Sequence, residues 1–567
     1  MPALACLLVA ALPWAAPVPP VPAGEPLAEI TLTIRDPGRQ ELRGRARLHG
    51  LSGPLILSLS ESYAFAALPP RLADPPSART PDGRPLTLTP AGSHAWELDP
   101  AGSQAAEVDW TVVLDHRRQP GVAGRDEYEH PYLAGDHGLL VAGAVLLTPD
   151  DPDLPVHVRL DLPDGWDAHV PWPEPEPGLF TPGPAGRRDD LLAVGHWDLI
   201  QGRAGAMDYT LAFAPGQEAL ADLVRPTLPP ILEAEVELFG GAVQDDYLFV
   251  FGRPDQPGGY GGSPKQASMT LFVSPDLPTD FAAQGVSHLI AHEFHHTWMK
   301  ARCDPLPELR FVMEGFTDYY AHLVPWRLGL VDDAALVTTL EEQLARAEGA
   351  LARFGGDLLA VGGPAFFEGG PAYQACYAGG LALALWTDLA LRDLDEPRSL
   401  DELMRAFYED RRWRDGTRPT LGDWMGLLAE RLGEAASEPL RAALAQDGGP
   451  DWRALLARVG VDVARHQEPV RGGPRANLDG ATVLALDPDG AGALAGLRPG
   501  DRILRLNGGQ VSGAGDVYRL WDLPLGDRLE LVVEREGQRL DLSAPPPQRV
   551  VYRLPADLPR RLGTAAG

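Results

Sequence analysis

The chain has 567 residues, which at roughly 150 residues per domain is room for three or four domains and excludes a single small module. Hydrophobic residues make up 44% and charged residues 23%, close to ordinary globular usage, so a fibrous or largely disordered chain is excluded too. Lys+Arg 49 against Asp+Glu 79 leaves a net charge of −30, which repels phosphate and argues against nucleic acid as a partner.

In chain order, Ala3 to Ala16 form an apolar stretch broken by Pro13, and Val21-Pro22-Ala23 suits a signal-peptidase site. Residues 1–23 therefore read as a signal peptide, although the n-region lacks Lys and Arg. The expected location is outside the cytoplasm, periplasmic or extracellular. No later stretch supplies the roughly 18 uninterrupted apolar residues of a membrane span. Residues 24–215 alternate on a period of two, as in Ile30, Leu32, Ile34 and Val108, Trp110, Val112, with Gly/Pro-rich turns between the runs. This predicts an antiparallel, β-sandwich-like scaffold domain. Over 216–465 the period becomes helical, with long stretches at Asp332 to Phe354 and Ser399 to Arg412, the latter opening on a Ser399/Glu402 capping box. Within that region Ser268 to Ser274 has strand character and is expected to supply the edge along which a peptide lies. Short strands return over 471–544, and 545–567 reads as a tail. Three cysteines allow at most one bridge, Cys303 to Cys376.

His292-Glu293-Phe294-His295-His296 is an H-E-x-x-H sequence. Pro278-Thr279-Asp280 is a helix start, and Val286, Leu289, Ile290 and Trp298 follow at helical spacing, so the motif lies in a helix. Residues four apart share a face. His292 and His296 can present two imidazoles to one Zn²⁺, with Glu293 placed to take a proton from the attacking water. His295, three from His292, is a geometric rival and otherwise a pocket-wall group or a support for the ligands. A catalytic zinc needs a third protein ligand. Glu314 stands among Phe311, Val312, Met313 and Phe316, where an unpaired carboxylate is costly to bury.

Three segments carry a resemblance. His-Glu-Phe-His-His-Thr-Trp298, Glu314-Gly-Phe-Thr-Asp-Tyr-Tyr320 and Cys376-Tyr377-Ala-Gly-Gly380 are similar to the H-E-x-x-H-x-W, E-G-F-T-x-Y-Y and Y-x-K-G segments of the glycyl-aminopeptidase family of gluzincin metallopeptidases. The stretch from Gly490 to Gly508 resembles the core of a bacterial PDZ domain, which captures an extended peptide at a sheet edge. The resemblance implies a multidomain α+β chain: an N-terminal β domain, a thermolysin-like, mostly helical catalytic domain and a C-terminal PDZ domain at 471–544. It implies Glu314 as third ligand to one zinc per chain and Tyr377 as the hydroxyl that meets the developing oxyanion. The substrate expected is a peptide or unfolded protein.

The chain leaves the family pattern at the glycine turn. Gly258-Gly-Tyr260-Gly261-Gly262 is followed by Ser263-Pro264-Lys265, where the family has a glutamate thought to hold the substrate's α-amine. Tyr260, Gly261, Gly262 and Lys265 are the candidate substrate-binding residues, and Lys265 would repel an ammonium. Gly379 replaces the lysine of Y-x-K-G, and Met299 and Asp304 replace a usual Asn and Arg. The expectation is peptide-bond hydrolysis without strict selection of a free N-terminus. The alternatives are an aminopeptidase of the family's own type and a peptide-binding protein that hydrolyses little.

Overall fold

The computed structural model describes residues 27–60, 70–114, 131–252, 260–273, 279–302, 307–367, 370–409, 418–444, 449–469, 476–486, 491–521, 528–545 and 548–563. The leader expected at 1–23, Cys303 and Asp304 lie outside these residues. Cys376 is a free, buried thiol rather than half of a bridge.

The alternating N-terminal sequence forms strands with one buried face, seen in Leu27–Thr33, Glu41–His49 and Ala105–Val113. Ile30, Leu32, Leu42, Leu48, Val108 and Val112 all point into one core. A ten-stranded sheet and a four-stranded sheet share that core. The expectation of a wholly antiparallel domain needs correction, because Leu27–Thr33 runs parallel to Val156–Asp161.

Next comes a five-stranded sheet made of Asp198–Ala204, Met207–Phe213, Asp246–Gly252, Ser268–Val273 and, at its edge, Tyr260–Pro264. It runs through the division expected at residue 215, since Met207–Phe213 pairs in parallel with Asp246–Gly252. The run Tyr247-Leu-Phe-Val-Phe251 explains why. Tyr247, Phe249 and Phe251 face the helical core, whereas Leu248 and Val250 face the N-terminal core. A strand buried on both faces reads as one continuous hydrophobic run, so a period-two search passes over it.

The remaining helices pack on the other side of this sheet. The motif helix is Thr279–Arg302, and Thr317–Arg327, Asp333–Leu351 and Gly370–Arg392 lie around it. Asp332 caps Asp333–Leu351 by accepting a bond from the Ala335 amide. Among the described residues no helix is long and apolar enough to cross a membrane.

A separate core built on Val483, Ile503, Leu506, Leu531 and Val533 holds the C-terminal six-stranded sheet. Asp501 fixes its Gly-Asp turn by accepting from the Arg498 amide at 2.8 Å and from Arg535 Nε at 2.7 Å. The tail expected at 545–567 is instead structural. Gln548–Arg553 pairs with Ala464–Pro469 into a two-stranded ribbon bracketing the small domain. Glu341 accepts from the Leu554 amide and Arg553, Arg465 pairs with Glu348, and Tyr552, Leu558 and Leu562 enter the helical core.

Candidate active site

One turn of the motif helix separates His292 from His296, and both side chains are buried with their Nε2 atoms 3.2 Å apart. Glu314 comes from a facing π turn, Val312–Phe316, that leads directly into Thr317–Arg327. Its Oε2 lies 3.3 Å from His296 Nε2 and 3.6 Å from His292 Nε2. Tetrahedral zinc with bonds of about 2.0–2.1 Å sets its ligand atoms about 3.3–3.4 Å apart. The triangle of two imidazole nitrogens and one carboxylate oxygen thus fits zinc in both chemistry and size. Burial disfavours the Glu314 anion, but His296 and His292 outweigh it and hold the carboxyl well below its ordinary value. Asp318, one turn after Glu314, puts Oδ1 3.6 Å from His292 Nδ1 and 2.9 Å from His288 Nε2. For His292, burial works against charge, yet Asp318, Glu314 and Glu293 raise it to about 10.

Close glycine contact places the third element. A Cβ on Gly315 would fall 2.3 Å from Gly380 Cα, and one on Gly380 would fall 2.0 Å from the Phe311 carbonyl oxygen. Only paired glycines let the π turn and the helix Gly370–Arg392 approach this far. Tyr377 lies inside that helix, one turn before Leu381. Its ring stacks on His292, with centroids 5.4 Å apart, and on Tyr373 at 4.3 Å. Burial, then the carboxylates of Glu314 and Glu293, push its hydroxyl well above the usual range, so it keeps its proton and can donate.

A cleft of about 560 Å³ joins these groups, lined by Gly261, Gly262, His292, Glu293 and Tyr377 among others. Gly262 is at the edge strand, where a Cβ would come within 3.0 Å of Glu293 Cγ. The edge itself differs from expectation. Ser268–Val273 pairs on both sides, with Asp246–Gly252 and with Tyr260–Pro264, so the outer strand is the glycine-rich one. Glycines hide a strand from propensity, which is why this segment reads as a turn.

Other candidates are placed away from the chemistry. Lys265 does not line the cleft; its side chain is 7% exposed and its Nζ lies 3.9 Å from Asp189 Oδ1. Tyr260 belongs to the edge strand, but its side chain is outside the described set. His295 is neither pocket wall nor support for the ligands. It is fully buried on the far side of the helix, paired with Glu235 at 2.9 Å and stacked on Tyr320. Met299 is core rather than a substrate contact. His288, Asp318 and His322 line the cleft and were not anticipated from the motifs, although both ladders were in the sequence as His288, His292, His296 and Glu314, Asp318, His322 at four-residue steps.

Comparison with known proteins places the chain beside metallopeptidases. The family model described as M61 glycyl aminopeptidase matches residues 286–358, and a PDZ domain model matches residues 482–535. Two curated Brucella proteins, from B. suis biovar 1 and B. melitensis biotype 1, are named provisionally as zinc metalloproteases. Each is 36% identical over 64 residues, a stretch that is 11% of this chain and 17% of theirs. The chain therefore spans about a sixth of the length of the curated relatives it matches. An aminopeptidase N family protein from Idiomarina loihiensis shares the fold with a TM-score of 0.73 at 18% identity, over 95% of this chain and 100% of that one. The resemblance to the glycyl-aminopeptidase family with a PDZ domain holds. Residues 286–358, which match that family's model, contain His292, His296 and Glu314, a group that could hold a metal ion.

Proposed function

We propose that the chain is a zinc metallopeptidase that hydrolyses peptide bonds with one catalytic ion held by His292, His296 and Glu314. The observation that carries this is the convergence of those three ligand atoms within 3.2–3.6 Å, in a cleft lined by Glu293 and Tyr377. When bound, zinc supplies Lewis acidity toward a carbonyl and toward water. Glu293, one residue from a ligand and facing the cleft, takes the proton from the attacking water and returns it to the leaving amine. Tyr377 donates its hydroxyl proton in a hydrogen bond to the carbonyl oxygen as that oxygen gains charge. Asp318, with Oδ1 3.6 Å from His292 Nδ1, sets a negative charge beside the buried edge of that ring. The strand Tyr260–Pro264, outermost in its sheet among the described residues, offers its edge to an extended peptide, so affinity comes from backbone bonds.

We further propose that cleavage does not require a free N-terminus. Lys265, once the reason for this reading, is turned toward Asp189 and no longer supports it. What supports it now is the lining of the cleft: among the described residues its carboxylates are Glu293 and Asp318, the first assigned to proton transfer and the second bonded to His288. The family description favours the other reading, an aminopeptidase. The PDZ domain is read as the holder of an extended peptide, and export as the fate of the chain, on the character of residues 1–23.

A mixed peptide library treated with wild type and Glu293→Gln tests the proposal. Wild type should cleave, and the variant should keep its zinc while losing at least about a hundredfold in rate. Equal turnover by the two removes Glu293 as base. Matched free and acetylated peptides then decide selectivity, and cleavage of free-amine peptides alone makes the enzyme an aminopeptidase.

A further inference from the structure

We infer that the cleft contains a second metal site, formed by His288, Asp318 and His322, for a divalent ion of the zinc class. The inference uses no step of the hydrolysis proposed above. The two four-residue ladders face each other, and Asp318 is the rung between them. His288 precedes His292 by one turn of the motif helix, and His322 follows Asp318 by one turn of Thr317–Arg327. His288 Nε2 lies 2.9 Å from Asp318 Oδ1, His322 Nε2 lies 4.0 Å from Asp318 Oδ2, and the two imidazole centroids are 4.3 Å apart. One ligand atom from each residue falls within 4.8 Å of the others. Small side-chain rotations close this to the spacing of a tetrahedral ion.

A negative charge beside His292 accounts for Asp318 and does not account for the rest. One carboxylate suffices to hold the Nδ1 proton of a ligand histidine. It does not need a further imidazole on each helix, both turned to the same carboxylate. His322 makes the point most directly, since its Nε2 is buried with no hydrogen-bond partner. A buried nitrogen left so is costly, and a metal ion is a partner that would use its lone pair. Two imidazoles and a carboxylate, with no thiolate among them, suit zinc and neighbouring divalent ions better than soft copper(I) or hard calcium. Three protein ligands leave a coordination position open. All three residues line the cleft, so that position is reachable from the substrate side. Asp318 serves both centres, one oxygen toward His288 and His292 and the other toward His322.

The test uses the full chain, stripped with a chelator and dialysed against excess zinc, with metal counted by elemental analysis. Two ions per chain are expected in wild type and one in each of His288→Ala, His322→Ala and the milder His322→Gln, all with folded circular-dichroism spectra. Titration with cobalt(II) gives a second readout. The second equivalent should add visible absorption in wild type and none in His322→Gln. One ion in wild type, kept by the His322 variants and lost in His292→Ala, overturns the second site and leaves the catalytic site standing. One ion that survives His292→Ala and is lost in His322→Ala supports the site proposed here and removes the metal centre of the hydrolytic reading.

Discussion

Gly315 and Gly380 meet backbone to backbone, and this contact sets how far Glu314 and Tyr377 stand from each other. Each follows its functional residue closely in sequence, one and three positions on, so the motifs E-G-F and Y-x-x-G are two halves of one joint.

Gly380→Val should therefore damage both stability and the site. The added carbons meet the Phe311 carbonyl and the Gly315 Cα, both backbone atoms, an overpacking expected to cost about 1–3 kcal/mol or more. Chemical denaturation should show a lower midpoint, and zinc content should fall with it. A variant as stable as wild type with full zinc would mean the two elements can part without consequence.

Tyr377→Phe keeps the ring that stacks on His292 and removes only the donor. Turnover is expected to fall by about 10²–10³ with KM little changed, the pattern of a bond made in the transition state. Zinc content should stay as in wild type. A loss confined to KM would make Tyr377 a binding residue.

Asp190 gives the pH dependence a defined source. It is buried, and burial raises its carboxyl to about 7 against the bonds it accepts from the Ala267 amide, Trp172 and Ser268. A pKa raised above the unfolded value of 3.8 means the folded state holds the proton longer. The associated stability is fully present below about pH 4 and is lost as pH rises through 7. Asp190→Asn is neutral throughout. The stability of wild type minus that of the variant, read from melts at pH 5 to 8, should fall with rising pH by up to a few kcal/mol in total. A flat difference would show that the carboxyl ionises normally in place.

The small C-terminal domain has its own core, and the ribbon of Ala464–Pro469 with Gln548–Arg553 closes beneath it. Replacing 471–544 by a short glycine-serine loop should leave hydrolysis of small peptides nearly unchanged and slow the cleavage of long unstructured chains. Equal losses on both would make the domain part of the catalytic unit.

Much of the site was legible because metal chemistry imposes spacing. His292, Glu293 and His296 needed only the helical repeat, while Glu314 and Tyr377 came from family motifs whose glycines explain themselves only in three dimensions. The edge strand was missed because Tyr260–Pro264 carries glycines and a proline, the residues that ordinarily announce a turn. Lys265 was misplaced for a simpler reason. Charge at a sequence position does not say which way a side chain leaves the strand, and this one leaves toward Asp189. The doubly buried strand Asp246–Gly252 showed no alternation to detect, and the ribbon at 548–553 lay beyond a proline run that looked like an ending.

That ribbon also sets an order of assembly. Tyr552, Leu554, Leu558 and Leu562 sit in the same core as Leu336, Leu344 and Leu385, so the helices Asp333–Leu351 and Gly370–Arg392, the second of which carries Tyr377, reach their full packing only once this segment has folded back. A polypeptide interrupted before Gln548 would own every catalytic residue and still lack part of the interior that holds them.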